Sequence, residues 1–496
     1  MEVHNKDTKQ WPQYLAAITA TISLAITGSH IGWTSPSLPY LKSNTSSIPL
    51  SSDDASWIAS FYLLGTIPGS LLAALIVDRY GRKTSLLLSG LPLLAGWVLI
   101  IIAWNPYVLY ASRFISGVGQ GVVYVVCPMY IGEIADKNIR GTLGSFIKLM
   151  VTSGELYAHA IGPFVPYDYL AYSCAIIPLL FFITFAFMPE SPYYLMMKND
   201  RSGAARNLQL LKQYDCRNLQ PGETHEVLEE DLDQIAKTVI NDMTNRGHFW
   251  DLFDTKGNRK AVIISFGLQI VLQFSGLAAI ESYTQEIIGE SDSGLSPGIV
   301  VIILSVVQLM AGIGAAVLVD RLGRRPLLLI TTFFSGVSLT VAGIFYFLKF
   351  YLGMEKELRD IGWALDVSVI SYELSVALGL SPLSYMMLGE LFPTNVKGIA
   401  VSLASLWASL LAFIVSKMHQ VITDNWGIYT SLGGFAASCF VGIIFILFWV
   451  PETKGKSLFE IQEELNCSKA ERNKRREKAA NIDEGVFSEM HVSSVF

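Results

Sequence analysis

The chain has 496 residues, of which 51% are hydrophobic and 16% charged, with a formal charge of −6. The charges are gathered into clusters separated by runs of ~20 apolar residues, each enough to cross a bilayer core, which excludes an ordinary soluble protein. So small a net charge over so long a chain gives no basis for a nucleic-acid or acidic partner.

Met1 to Gln10 are polar and the apolar stretch after them is of full span length, so no cleavable leader is expected and span one serves as its own insertion signal. Twelve apolar segments follow, at 14–36, 54–77, 84–104, 107–131, 142–165, 170–188, 260–287, 296–319, 325–350, 361–391, 398–422 and 426–450. They predict an all-α membrane protein of twelve transmembrane helices. The expected units are an amino-terminal six-helix bundle (1–188), a cytosolic linker (189–259), a second six-helix bundle (260–450) and a cytosolic tail (451–496).

The first loop, 37–53, carries Asn44-Thr45-Ser46, an N-glycosylation acceptor; Asn466-Cys467-Ser468 has the same form but falls on the tail, where it should stay bare. Cys127, Cys174, Cys216, Cys439 and Cys467 show no paired spacing, so neither a disulfide nor a metal framework is expected.

The turn after span two reads Asp78-Arg79-Tyr80-Gly81-Arg82-Lys83, and the turn after span eight Asp320-Arg321-Leu322-Gly323-Arg324-Arg325. Two further landmarks repeat in the same order. Glu133 stands seven residues before Arg140 as Glu390 stands seven before Lys397, and Pro189-Glu190-Ser191 recurs as Pro451-Glu452-Thr453. One membrane unit is thus written twice.

The turns holding Arg79, Arg82, Lys83, Lys137, Arg140, Arg321, Arg324 and Arg325 alternate with turns at 104–107, 163–170 and 287–297 that have no Lys or Arg. By the positive-inside bias the basic turns and both termini are cytosolic. The repeated charges (Asp78, Arg79, Gly81, Arg82, Glu133, Arg140 and Glu190; Asp320, Arg321, Gly323, Arg324, Glu390, Lys397 and Glu452) are expected to bond across the two bundles as a conformational latch.

Within the fourth span, Arg113, Gly117 and Gly121 share one helical face and predict close helix packing. Gly117-x-Gly119-x-Gly121 follows no strand, and Val450 stands where a phosphate loop ending in Gly455-Lys456-Ser457 needs its first glycine. Neither enzyme chemistry nor a cofactor is expected.

In the linker, Ser202 is the expected cap of a helix carrying Ala205, Leu208 and Leu211, and Leu228, Leu232, Ile235 and Val239 recur at helical spacing. Ser457 precedes a tail helix with Leu458, Ile461 and Leu465, followed by a basic cluster, Lys469 to Lys478, that is either solvated or in contact with anionic lipid.

The paired Asp-Arg-x-Gly-Arg turns, Arg113 with its glycines, Pro128 to Ile134, Pro189 to Pro192 and Pro451 to Gly455 together resemble the sugar porter family of the major facilitator superfamily. Thr34-Ser35-Pro36 and Asp54-Ala55-Ser56-Trp57 are most similar to its facilitated trehalose transporter-like branch. The resemblance implies two pseudo-symmetric bundles, a mid-membrane sugar site between them, and rocking that exposes the site to alternate sides. It implies His159, Gln273, Gln308, Tyr385 and Trp407 as substrate-binding residues.

The family pattern is thinned here. Span seven reads Leu272-Gln273-Phe274-Ser275-Gly276-Leu277-Ala278, lacking one glutamine and the asparagine, and Leu406 stands where span eleven has an asparagine. Each lost amide removes ~1 kcal/mol of binding or more.

Ionisable groups appear instead inside spans: His30, Glu155, Glu281 and Glu373. They either line wet cavities or pair with one another, as Glu155 and His159 are spaced to do, or couple transport to protons, with His30 standing where proton-coupled relatives keep an acid. The expected function is facilitative carriage of a sugar, a hexose or trehalose, across the cell membrane. A proton symporter, a carrier of another polar solute and a non-transporting sensor stand as alternatives.

Overall fold

A computed structural model describes residues 10–136, 138–213, 223–244, 247–456 and 458–466. Lys137, Cys216, Ser457, Cys467 and the basic cluster 469–478 lie outside them. No strand occurs among the described residues.

Six helices form the first half: α1 (Trp11–Leu41), α2 (Ser52–Tyr80), α3 (Arg82–Ile101), α4 (Pro106–Ile134), α5 (Arg140–Ile161) and α6 (Tyr167–Phe185). Three short helices follow, α7 (Pro192–Met197), α8 (Arg201–Lys212) and α9 (Glu223–Thr244). The second half repeats the plan with broken members. Its first crossing is α10 (Lys256–Phe274) continued by α11 (Leu277–Gly289), then α12 (Pro297–Leu322) and α13 (Arg324–Tyr346). After the short α14 (Glu355–Leu358), the fourth crossing is α15 (Trp363–Ser375) continued through a wide turn to α16 (Ser381–Leu391). Then come α17 (Thr394–Trp426), α18 (Ile428–Trp449) and, past the bundle, α19 (Leu458–Asn466).

These are twelve crossings in two six-helix bundles. Eleven of them are long and apolar enough to span a bilayer by composition alone; α5 falls short because Lys148, Glu155 and His159 interrupt it. That deficit has a structural reason, since α5 packs beside α12 of the other half and turns its polar positions to the space between.

Glycines bring two helix pairs of the first half into backbone contact, α1 with α5 and α2 with α4. A Cβ added at Gly117 would meet the Tyr62 carbonyl and one at Gly65 the Phe114 carbonyl, so the two backbones touch where the Arg113 face predicted packing. Arg113 itself is buried, with no carboxylate partner among the described residues. Its guanidinium donates to the carbonyls of His30 (2.7 Å) and Ile58 (3.2 Å) and to Thr34 Oγ1 (3.0 Å), and lies 4.3 Å from the centroid of the Tyr62 ring.

Below the bundles, α8 and α9 bury Ala204, Leu208, Leu228 and Leu232 against one another. The cap of α8 is Asp200 rather than Ser202: its carboxylate accepts from Gly203 N (2.9 Å), and the Ser202 hydroxyl merely donates to that carboxylate. A carboxylate at the Ncap position meets the first-turn amides directly, which a serine two residues later does not. Lys212 joins this layer to the membrane part through Asp231 (2.9 Å) and Asp136 (3.1 Å). Burial works against its charge, but the two carboxylates outweigh that and hold the ammonium above its usual pKa.

Candidate substrate chamber and charge clusters

Gly81 ends α2 with φ +94° and Gly323 ends α12 with φ +92°, a conformation that a side chain strains. Each turn delivers the next arginine to an acid at the end of a later helix. Arg82 Nε donates to Glu133 (3.0 Å) and Arg324 Nη2 to Glu390 (3.0 Å).

The Pro-Glu-Ser/Thr segments close the clusters. Glu190 accepts from the backbone amides of Arg82 and Lys83 (3.0 Å each), and Glu452 from those of Arg324 and Arg325 (3.0 Å each). Ser191 hydrogen-bonds Glu133 as Thr453 does Glu390. Glu452 is partly buried, which disfavours its charge, yet the amides of Lys454, Arg324, Arg325 and Thr453 hold its carboxyl below the usual carboxylate pKa.

The expected bridge between halves is corrected here. Each cluster closes within its own bundle, because the arginine after the turn reaches the acid of the neighbouring helix before any group of the other half. Arg140 and Lys397 make no ion pair among the described residues, and Arg140 donates only to the Ala135 carbonyl (3.4 Å). Asp78 and Asp320 stand beside Arg82 (3.4 Å) and Arg324 (3.8 Å). The Arg79 and Arg321 carbonyls accept from Tyr194 Oη (3.0 Å) and Lys454 Nζ (2.8 Å), each within one half.

The ion pairs that do join the halves lie at the opposite helix ends. Lys42, just past α1, meets Glu286 of α11 (2.6 Å). Lys417 of α17 meets Asp53 (2.5 Å) and Ser56 (2.6 Å) at the start of α2, with its ammonium 4.0 Å from the Trp57 ring centroid. The exposed Asn44 lies on this face. One face is thus clasped across the halves, while the other carries two self-contained clusters.

Between the halves lie the substrate-site candidates. His159 Nδ1 is 2.7 Å from Ser305 Oγ on α12, and since that hydroxyl donates to the Val301 carbonyl, Nδ1 carries the proton and Nε2 is left as an unpartnered acceptor. The spacing of His159 from Glu155 therefore does not produce a pair. Gln308 Nε2 donates to Glu373 (2.8 Å), whose other oxygen has no partner. Gln273 is buried, Tyr385 is 46% exposed, and Trp407 stacks on Phe266 with an unpartnered indole N–H.

The embedded ionisable groups divide in two. Glu155, Glu281 and Glu373 lie within electrostatic reach of one another and of Lys148. All three acids sit roughly 9–15 Å, at 1.5 Å per residue, below the clasped ends of their helices. His30 is elsewhere, sealed in the first bundle, stacked on Trp97 (centroids 4.1 Å) with Nε2 at 3.1 Å from the Leu93 carbonyl.

Sequence reasoning missed Lys148, Tyr124, Gln120 and Gln269. Lys148 passes for part of the basic end that begins at Arg140, although it stands eight residues farther along the helix, about 12 Å. Gln120 and Tyr124 are one turn apart in the glycine-rich run of α4, and Gln269, fully buried with both amide atoms unpartnered, precedes Gln273 by one turn.

The model of the family described as "Sugar (and other) transporter" matches residues 15–465. Facilitated trehalose transporter Tret1 of Apis mellifera ligustica is 31% identical over 467 residues, spanning 93% of this chain and 89% of that protein. Tret1 of Bombyx mori is 31% identical over 455 residues, spanning 92% and 87%. Among solved structures, the inward-open xylose transporter XylE from E. coli superposes with TM-score 0.73 at 22% identity, covering 91% of this chain and 99% of that one. That likeness establishes the major facilitator fold, with its twelve helices, and the match along almost the whole sequence makes this chain a member of the sugar (and other) transporter family.

Proposed function

We propose that the chain carries a sugar, a hexose or trehalose, down its gradient across the cell membrane, with the basic face and both termini in the cytosol. The units are those read from the sequence: two bundles, a cytosolic linker and a cytosolic tail. His159, Gln273, Gln308, Tyr385 and Trp407 meet the solute, and the two charge clusters stiffen each bundle so that it rocks as one body.

The observation that supports this most directly is the unequal treatment of the two faces. Lys42–Glu286 and Lys417–Asp53 tie the halves together on one side only, the form of a gate that must be undone for the chamber to open there.

The test is uptake of labelled trehalose and glucose into vesicles containing the purified chain, with and without an imposed pH gradient. Saturable flux indifferent to the gradient is expected; no flux of any sugar overturns the proposal and favours a sensor. The second reading, proton-coupled symport, draws on Glu155, Glu281 and Glu373, since His30 is sealed from the chamber. Flux driven by the pH gradient would replace the first reading by the second.

A further inference from the structure

The chamber holds more ionisable groups than a neutral sugar needs. Glu155 comes from the first half, Glu281 and Glu373 from the second, and against these three carboxylates stands one ammonium, Lys148. Glu155 and Glu281 make no hydrogen bond to a described residue, and Glu373 keeps one oxygen unpartnered at 1% exposure. Embedded acids of this kind must either take up protons or meet a counter-charge.

A second element points the same way. On α4, the hydroxyl of Tyr124 lies within electrostatic reach of Glu155, Glu281 and Tyr385, and Gln120 stands one turn before it. Gln120 is 7% exposed and its Oε1 has no partner among the described residues, so a further helix carries a buried acceptor left to be met. Tyr124 and Tyr385 bring two half-open rings beside the carboxylates. Acids, an amide oxygen and aromatic faces are all groups that receive an ammonium, and none except Lys148 donates charge.

We propose that the chamber selects, among polyhydroxylated solutes, those bearing a protonated amine. The hydroxyls are met by Gln273, Gln308 and His159, and the amine sits among Glu155, Glu281, Glu373 and the two tyrosines. This reading rests on the chain being a sugar carrier and narrows its substrate class. It also accounts for the thinned amide pattern of span seven, because an ion pair replaces hydrogen bonds that a neutral sugar requires.

The test compares glucosamine with glucose, which differ at one position where an ammonium replaces a hydroxyl. In vesicles holding the full chain, in neutral buffer, unlabelled glucosamine is expected to inhibit labelled glucose uptake at a concentration at least about tenfold lower than unlabelled glucose does, the margin of one charge-assisted contact. Glu373→Gln should bring that ratio towards one, and Lys148→Ala, which removes the competing ammonium, should raise it. Equal inhibition by the two sugars in the wild type overturns the proposal while leaving the carrier reading intact. An unchanged ratio in a Glu373→Gln variant that still transports glucose overturns it as well. If no sugar moves, the carrier reading fails separately, and thermal stabilisation of the purified chain decides the amine question: stabilisation by glucosamine and not by glucose supports it, and the reverse or neither sinks it.

Discussion

Arg324 repeats the contacts of Arg82: each arginine follows a left-handed glycine, donates to a glutamate at the end of the next crossing, and offers its own backbone amide to a second glutamate. The two copies differ in enclosure. The Arg82 side chain is 4% exposed and Arg324 14%.

That difference orders the mutants. Glu133→Gln strips the buried Arg82 of its counter-charge and should cost about 3 kcal/mol, whereas Glu390→Gln leaves a cation that water still reaches and should cost less. Thermal melting of the purified variants measures both. Equal losses, or a larger loss at Glu390, would contradict the ranking.

The clasped face should loosen by increments. Lys42→Ala and Lys417→Ala each remove a partly exposed pair, worth up to about 1 kcal/mol, so each should raise the population open on that face by roughly two- to fivefold. With the native cysteines replaced by serine, a cysteine at Phe413 reports this by its labelling with an impermeant thiol reagent. Trp57 stands 6.4 Å from the Phe413 ring in the clasped form, so labelling that does not rise in Lys417→Ala would count against the gate.

His159 and Ser305 share a single bond between the halves. His159→Ala and Ser305→Ala should therefore be non-additive, with the double variant recovering about 1 kcal/mol relative to the sum, read from KM for glucose. Full additivity would mean that the two side chains act independently.

Gly117 and Gly132 provide a matched comparison on one helix. A Cβ at Gly117 meets the Tyr62 carbonyl, while one at Gly132 meets nothing within 4 Å. Gly117→Ala should destabilise by about 1–3 kcal/mol through forced separation of α2 and α4, and Gly132→Ala should not destabilise at all. Similar melting temperatures for the two would refute the backbone contact.

Acid should loosen the second cluster at Glu452. Its carboxyl has a lower pKa folded than unfolded, so its contribution is fully present above the unfolded value of about 4.3 and is lost as pH falls through the folded one. Melting temperatures of wild type and Glu452→Gln should differ near neutrality and converge below about pH 4. A gap that persists in acid would place the effect elsewhere.

The helices and the twin clusters were readable in the sequence because charges within apolar sequence are conspicuous and their order repeats. Their pairing was not. The constant spacing between Glu133 and Arg140 drew attention to a neighbour along the chain, while the true partner, Arg82, arrives from another turn. The chamber was half visible for a related reason: Glu155, Glu281 and Glu373 stand out inside spans, but Lys148 hides near a basic helix end, and Gln120 hides among glycines that packing explains by itself.

The break at Ser275-Gly276, where Gly276 takes φ +90° and Tyr372 Oη donates to the Ser275 carbonyl (3.0 Å), has no counterpart in the unbroken α1, just as the wide turn between α15 and α16 has none in α4. An interrupted ladder of carbonyls bends where a continuous one resists. The joint at Gly276 lies about a turn and a half before Glu281, so any flexing there shifts that acidic side chain relative to Glu155 of the other half.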